Sequence, residues 1–154
     1  MNVERCLNAA EGYLQLQMPS DAIEEIVKLP PHVRNNIHAS ELELAAEMML
    51  KHWNRGAELA GILCDKKPTK KSYFLHAAYC LHETGDTLAA KNVLINGPKS
   101  LLKDGLFHYN MGCYSAVLGN NEEARRYVLA SFKLDPELRN TAESDPDLAN
   151  IDFS

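Results

Sequence analysis

A repeat of about 34 residues constrains the fold of this chain more than any other feature of its sequence. One series of alanines recurs at intervals of 35, 33 and 34 residues: Ala22, Ala57, Ala90 and Ala124. Twelve residues before each of them stands a second small residue: Ala10, Ala45, Ala78 and Gly112. Two series in the same phase indicate one supersecondary unit repeated four times, since stacked units must pack in the same way.

Each unit is predicted to be a pair of antiparallel helices. A side chain no larger than a methyl group at both marked positions lets two helix axes approach closely. Gly119 followed by Asn120 indicates the end of one helix and the N-cap of the next, and Glu123 completes a variant of the capping box. No segment alternates in polarity for long enough to predict a strand. The sequence therefore predicts an all-α fold.

The fourth unit resembles the tetratricopeptide repeat, whose pattern is W-x2-L-G-x2-Y, then A-x3-F, then Pro. Met111 and Gly112 match the Leu-Gly step, Ala124 and Val128 match the A-x3-F step, and Leu134-Asp135-Pro136 closes the unit. The other three units match more loosely. The resemblance implies an α-solenoid of antiparallel hairpins in a right-handed superhelix, as in small bacterial members with about four repeats and a short C-terminal capping helix.

The chain is expected to form one domain over residues 1–154, because 154 residues suit a single core. The expected repeats are at about 3–37, 38–70, 71–104 and 105–138, followed by a capping segment at 139–154. In that segment Asp145 is expected to cap a short helix with Pro146 at its first position. Leu148, Ile151 and Phe153 are expected to cover the exposed end of the last hairpin.

The charge of the chain argues against nucleic acid as a ligand. Sixteen basic and 21 acidic residues give a net charge of −5, which repels phosphate backbones. No apolar run approaches the length that spans a bilayer, and the first residues lack the apolar segment of a signal peptide. We therefore expect a cytoplasmic protein without a membrane partner, in which the four cysteines, none in a CxxC pair, are free thiols.

Catalytic motifs are not found. The sequence has no HExxH, GxSxG or P-loop pattern, so neither enzymatic activity nor a cofactor is predicted. His76, Cys80 and His82 lie close enough along one predicted helix to invite a metal site, but the spacing is not diagnostic, and no metal is predicted. An enzyme that uses these three residues stays an open alternative.

The resemblance implies that the first helices of successive hairpins line a concave groove that binds a protein segment. Cations are nearly absent at these positions, which disfavours a clamp for a terminal carboxylate and favours an apolar or aromatic-anchored peptide, with Tyr79, Tyr109 and Met49 as anchors. The same stripe could instead be core. The candidate groove residues are Glu11, Leu42, Met49, Leu75, His76, Tyr79, His82, Tyr109, Asn110 and Cys113.

The predicted function is a non-enzymatic adaptor that binds a partner protein or peptide in this groove. One alternative is a chaperone-like holder of a secreted protein, since the stretch Phe74 to Leu81 resembles a phrase of class II type III secretion chaperones. Those chaperones carry the phrase in their last full repeat, whereas another repeat follows it here. A homodimer is also possible, because the first hairpin has one uncovered face.

Overall fold

The computed structural model describes all residues, 1–154, and every regular element in it is a helix. The α-helices are α1 (Val3–Gln15), α2 (Pro19–Val27), α3 (Pro31–Arg34), α4 (Ile37–Met49), α5 (Trp53–Lys66), α6 (Lys71–Glu83), α7 (Thr87–Ile95), α8 (Gly105–Val117), α9 (Asn121–Leu134) and α10 (Leu138–Glu143). Two 3₁₀ segments cover Lys99–Lys103 and Pro146–Leu148. The predicted all-α fold of helix hairpins is confirmed.

Four hairpins repeat along the chain with a strict 34-residue period. The first helices begin at Val3, Ile37, Lys71 and Gly105, and the second helices begin at Pro19, Trp53, Thr87 and Asn121. The turn between the two helices holds one residue of positive φ at the same position each time: Gln17, Lys51, Gly85 and Gly119. The backbone of the turn therefore repeats even where its sequence does not.

The small-residue pairs are buried in three of the four hairpins. These pairs are Ala10 with Ala22, Ala78 with Ala90, and Gly112 with Ala124. In the second hairpin, however, Ala45 is exposed and Ala57 is only partly buried, so the predicted register is wrong there by one residue. Leu44 and Gly56 take the two equivalent places, since α4 begins at Ile37 rather than at 38.

Gly56 permits a close contact between successive hairpins. A β-carbon on Gly56 would lie 2.9 Å from Sγ of Cys80, on the first helix of the next hairpin. Real side chains do not approach so closely, because the repulsion at that distance forces one group to shift. In the second hairpin, the large Leu44 and the smallest residue, Gly56, thus occupy the two positions where the other hairpins have small residues.

Side-chain caps fix the start of several helices. The side chains of Asp86 and Asn120 accept hydrogen bonds of 3.1 Å from the backbone N–H groups of Ala89 and Glu123. These contacts satisfy donors that have no partner inside α7 and α9. The predicted cap at Asn120 is confirmed.

A buried carboxylate joins the helices α3, α4 and α5. Glu43 on α4 is 2 % exposed and accepts hydrogen bonds from Arg34 at 2.9 Å and from Arg55 at 3.1 Å. Burial alone would raise the pKa of Glu43, but the hydrogen bonds from the two guanidinium groups outweigh it and leave that pKa below its usual value. The ion pairs link α3 and α5 to α4.

The C-terminal residues pack against the last hairpin. Leu148 and Ile151 belong to the largest hydrophobic cluster, together with Val128 of α9. The Phe153 ring stands edge-on to the Phe132 ring, with 5.6 Å between centroids. The predicted covering of the last hairpin by Leu148, Ile151 and Phe153 is confirmed.

The form of the covering segment differs from the expectation of one short helix. It contains α10 and, after it, the single 3₁₀ turn Pro146–Leu148, which the Asp145 side chain caps by accepting from the Asp147 N–H at 3.0 Å. Asp145 and Pro146 therefore take the predicted positions, but in a three-residue turn. None of the helices is long and apolar enough to cross a membrane.

Candidate functional site

A cleft of about 510 Å³ lies between the first helices α6 and α8, and the C-terminal segment forms one of its walls. It is called the α6/α8 cleft below. Five of the ten predicted groove residues meet in it: Tyr79, His82, Tyr109, Asn110 and Cys113. The other lining residues are Glu83, Gly85, Tyr114, Asp145, Pro146 and Asp147.

Hydrogen bonds fix the C-terminal wall to both first helices. The hydroxyl of Tyr109 on α8 donates to Oδ2 of Asp145 at 2.7 Å. Nε2 of His82 on α6 lies 3.2 Å from Oδ2 of Asp147, while Nδ1 of the same ring contacts Oγ1 of Thr87 at 2.9 Å. The wall is therefore held at defined positions and its two carboxylates face the space between the helices.

The α6/α8 cleft is strongly acidic. Glu83, Asp145 and Asp147 line it, and no lysine or arginine does. Burial raises the pKa values of the Cys113 thiol and the Tyr114 hydroxyl well above their usual range, and the charges of Asp145 and Asp147 add to the effect at Cys113. Both groups therefore stay protonated and neutral at physiological pH.

Tyr114 is buried at the cleft with its hydroxyl unpaired. The residue is 2 % exposed, and its ring packs on that of His82 with 4.9 Å between centroids. The Tyr114 oxygen has no hydrogen-bond partner within the chain. A buried polar group without a partner carries a free-energy cost, so the Tyr114 hydroxyl is available to pair with a group that enters the cleft.

An aromatic pair lies beside the α6/α8 cleft, and one of its rings, Tyr79, lines the cleft. Tyr79 is 42 % exposed, and Trp53, the first residue of α5, meets it edge-on with 5.5 Å between ring centroids. The Trp53 ring therefore reaches from the second hairpin to the first helix of the third, beside the cleft.

A second cleft, of about 310 Å³, lies between α4 and α6. Ala45, Met48 and His76 line it, and these positions are equivalent to Tyr79, His82 and Asn110 one repeat later. The two clefts therefore lie on the same face of the molecule, which we call the first-helix face. The Lys70 ammonium meets Glu41 of this second cleft at 2.9 Å.

The remaining predicted groove residues are more scattered. Glu11 on α1 is exposed, Met49 at the end of α4 is 37 % exposed, and Leu75 is half-buried against the C-terminal core. Leu42 is 9 % exposed and belongs to the hydrophobic cluster that packs α4 against the first hairpin. Leu42 is thus a core residue in the structure.

The three candidate metal ligands His76, Cys80 and His82 do not bring their ligand atoms into one cluster. Cys80 is fully buried, and burial raises its pKa to about 11. The structure instead gathers Cys113, Asp145 and Asp147, whose ligand atoms lie within 4.8 Å of one another. The Cys113 thiol donates to Oδ2 of Asp145 at 3.6 Å, so these groups satisfy each other as a hydrogen-bonded set.

Sequence reasoning missed Asp145 and Asp147 as residues of the cleft. The sequence predicts only a cap at Asp145 and a place for Asp147 within the covering segment. The available signal was the excess of acids after residue 134, where six acids accompany one arginine. That signal did not indicate where the acids would lie, since Asp147 contacts a histidine 65 residues earlier in the chain.

Comparison with known proteins supports the fold. Neither a model of a known protein family nor a curated protein matches the chain. Among solved structures, it is similar to MamA MSR-1 C2, a tetratricopeptide-repeat fold, with a TM-score of 0.80 and 14 % sequence identity. The similarity covers 90 % of this chain and 79 % of the other. This chain therefore has a tetratricopeptide-like helical repeat fold.

Proposed function

We propose that this protein is an interaction module that binds a segment of a partner protein on its first-helix face. The observation that supports this most is the α6/α8 cleft, an accessible concavity between two first helices that is lined by Tyr79, one ring of an aromatic pair. Clefts of this volume are of the size that usually accommodates ligand groups. The solenoid architecture presents such a face along its length.

Tyr79 and Met49 are the proposed anchors for the partner. Both are large, more than a third exposed, and located near the ends of the first helices α6 and α4. Tyrosine and methionine offer much contact area, and tyrosine is enriched among residues that dominate binding energy. Tyr109, the third anchor suggested by the sequence, is 6 % exposed and is occupied by its bond to Asp145.

A non-enzymatic role is part of the proposal. Nucleophilic catalysis by cysteine needs a thiolate, which an exposed position and nearby positive charge favour. Here Cys64, Cys80 and Cys113 are buried, and burial raises their pKa values, to about 11 for Cys64 and Cys80. The chaperone-like alternative and a homodimer stay predictions.

The test is a capture experiment with two matched double variants. Tyr79→Ala with Met49→Ala removes the anchors, and Leu88→Ala with Ile95→Ala removes two exposed residues of α7, a second helix. The immobilised parent protein and both variants are exposed to an extract of the cells that make the protein, after equal melting temperatures have been verified.

We expect one partner to be retained by the parent and by the α7 variant and to be lost from the anchor variant. Mass spectrometry identifies the bound proteins. If the anchor variant retains the same proteins as the parent, the first-helix face is not the binding surface. A partner that remains in solution only in the presence of this protein would favour the chaperone-like role.

A further inference from the structure

From the chemistry of the α6/α8 cleft, we infer that it binds a cationic side chain, arginine or lysine, of the partner segment. This inference rests on the proposed function and specifies the chemistry of the partner. It differs from the sequence-based expectation of a purely apolar or aromatic-anchored peptide. Three features of the cleft carry it: uncompensated acidic charge, aromatic rings and an unpaired buried hydroxyl.

The carboxylates of the cleft lack a full positive counter-charge. Glu83 at the C-terminal end of α6 takes part in no ion pair, and Asp145 accepts only from uncharged donors: a hydroxyl, a thiol and a backbone N–H. Asp147 has His82 as its neighbour. A concavity lined by one sign of charge attracts the opposite sign, and a guanidinium group can bind carboxylates through paired N–H donors.

Aromatic rings surround the same space. Tyr79, Tyr109 and Tyr114 all line the cleft. The face of a tyrosine ring attracts ammonium and guanidinium groups, and the attraction increases where water is partly excluded. Rings and carboxylates together recognise a cation with an apolar stem, which describes the side chains of arginine and lysine.

The Tyr114 hydroxyl supplies the independent indication of a ligand. It is buried, it lines the cleft, and it has no hydrogen-bond partner within the chain. The neutral tyrosine oxygen can accept an N–H from a bound cation while its proton turns toward a neighbouring acceptor. A bound arginine or lysine would thus pair a group that the fold alone leaves unpaired.

A divalent metal ion is the competing occupant, because Cys113, Asp145 and Asp147 lie close together. The hydrogen bonds within this set argue against it. Asp145 accepts from the Cys113 thiol and from the Tyr109 hydroxyl, and metal binding would have to break these contacts and remove the thiol proton. An organic cation can bind at the carboxylates of Glu83 and Asp147 without breaking the hydrogen bonds to Asp145.

The test is an NMR titration of the full-length ¹⁵N-labelled protein at low ionic strength. The probe is N-acetyl-arginine N-methylamide, and the control ligand is the citrulline analogue, which has nearly the same shape without the charge. We expect saturable shifts of the amides of Tyr79, Asn110 and Asp147 with the arginine probe and about tenfold weaker binding of the citrulline analogue. Equal binding of both probes, or no saturable shift with arginine, overturns the proposal.

Variants separate cation binding from general effects on the fold. Glu83→Gln should weaken the binding of the arginine probe about three- to fivefold, as expected for one exposed charge. Glu24→Gln makes the same change on α2, at an exposed position outside the cleft, and should leave binding unchanged. The proposal is wrong if both variants bind alike.

Tyr114→Phe tests the unpaired hydroxyl. It should weaken the binding of the arginine probe without lowering the melting temperature, because the hydroxyl has no partner in the free protein. If Tyr114→Phe binds the probe as tightly as the parent, the hydroxyl is not part of the site and the proposed cation site is wrong.

Three further outcomes separate this inference from its alternatives. If Zn²⁺ shifts the cleft amides and the arginine probe does not, the cleft is a metal site and the inference fails. If the anchor variants lose a captured partner while the arginine probe fails to bind, the inference fails but the proposed function stands. If the probe binds but the anchor variants keep every partner, the proposed function fails and the cation site stands.

Discussion

The hydroxyl of Tyr109 donates a 2.7 Å hydrogen bond to the carboxylate of Asp145, 36 residues further along the chain. This bond ties the first helix of the last hairpin to the segment that covers it. It also places the Asp145 carboxylate in the wall of the α6/α8 cleft. The same contact therefore contributes to the stability of the C-terminal end and to the shape of the candidate site.

Replacing Tyr109 with phenylalanine should destabilise the protein. The change removes a donor to a half-buried carboxylate while keeping the ring, and hydrogen bonds to charged groups contribute about 1.5 to 3 kcal/mol. Urea unfolding measures the difference. Tyr79→Phe is the matched control, since the Tyr79 side chain is 42 % exposed and should change stability little. Equal midpoints for Tyr109→Phe and the parent would contradict this role of the bond.

Replacing Lys51 with glycine should stabilise the protein. Lys51 has φ of 60° at the turn position that Gly85 occupies, with φ of 95°, one repeat later. A non-glycine residue in this region costs about 1 kcal/mol, part of which the greater chain entropy of unfolded glycine offsets. We expect a gain of about 0.5 kcal/mol for Lys51→Gly and a loss of about 1 kcal/mol for Gly85→Ala. Thermal melts that move in the same direction for both would contradict the shared turn geometry.

The ion pairs of Glu43 should make stability depend on acid pH. The pKa of Glu43 in the folded protein is below its usual value of 4.5, so its contribution to stability is fully present above that value. The contribution is lost as the pH falls through the folded pKa. At pH 7 Glu43→Gln should lower the free energy of unfolding by about 1 to 2 kcal/mol, since the two arginines are partly exposed.

The stability difference between Glu43→Gln and the parent should shrink as the pH falls from 7 to 3. Urea unfolding at a series of pH values measures it, with Glu24→Gln as the control for a change at an exposed carboxylate. A difference that stays constant over this range would show that the pairing of Glu43 with Arg34 and Arg55 does not stabilise the fold.

The hairpin architecture could be predicted because its determinants are local. Small residues at fixed spacing, a glycine at the turn and a side-chain cap such as Asn120 all act within one hairpin. The register of the second hairpin could not be predicted in this way, because that hairpin achieves the same backbone with different residues. Lys51 stands where the third and fourth turns have glycine, and Leu44 with Gly56 replaces the two small residues. Neighbouring Ala45 and Ala57 then suggested a register one residue too late.

The candidate site could be predicted only on its helical side. Tyr79, His82 and Asn110 follow from the position of first-helix residues in the repeat. Asp145 and Asp147 could not be placed, because the path of the chain after α10 depends on tertiary packing of Leu148 and Ile151 against the last hairpin. The burial of Glu43 was missed for a similar reason, since its two arginine partners lie on other helices.

Site-specific photocrosslinking can show directly whether a partner binds on the first-helix face. A benzoylphenylalanine replaces Tyr79 in one variant and Leu88, 58 % exposed on the second helix α7, in the other. After irradiation with the captured partner, we expect a covalent adduct through position 79 and none through position 88. An adduct through position 88 alone would place the partner on the opposite helices and contradict the proposed function.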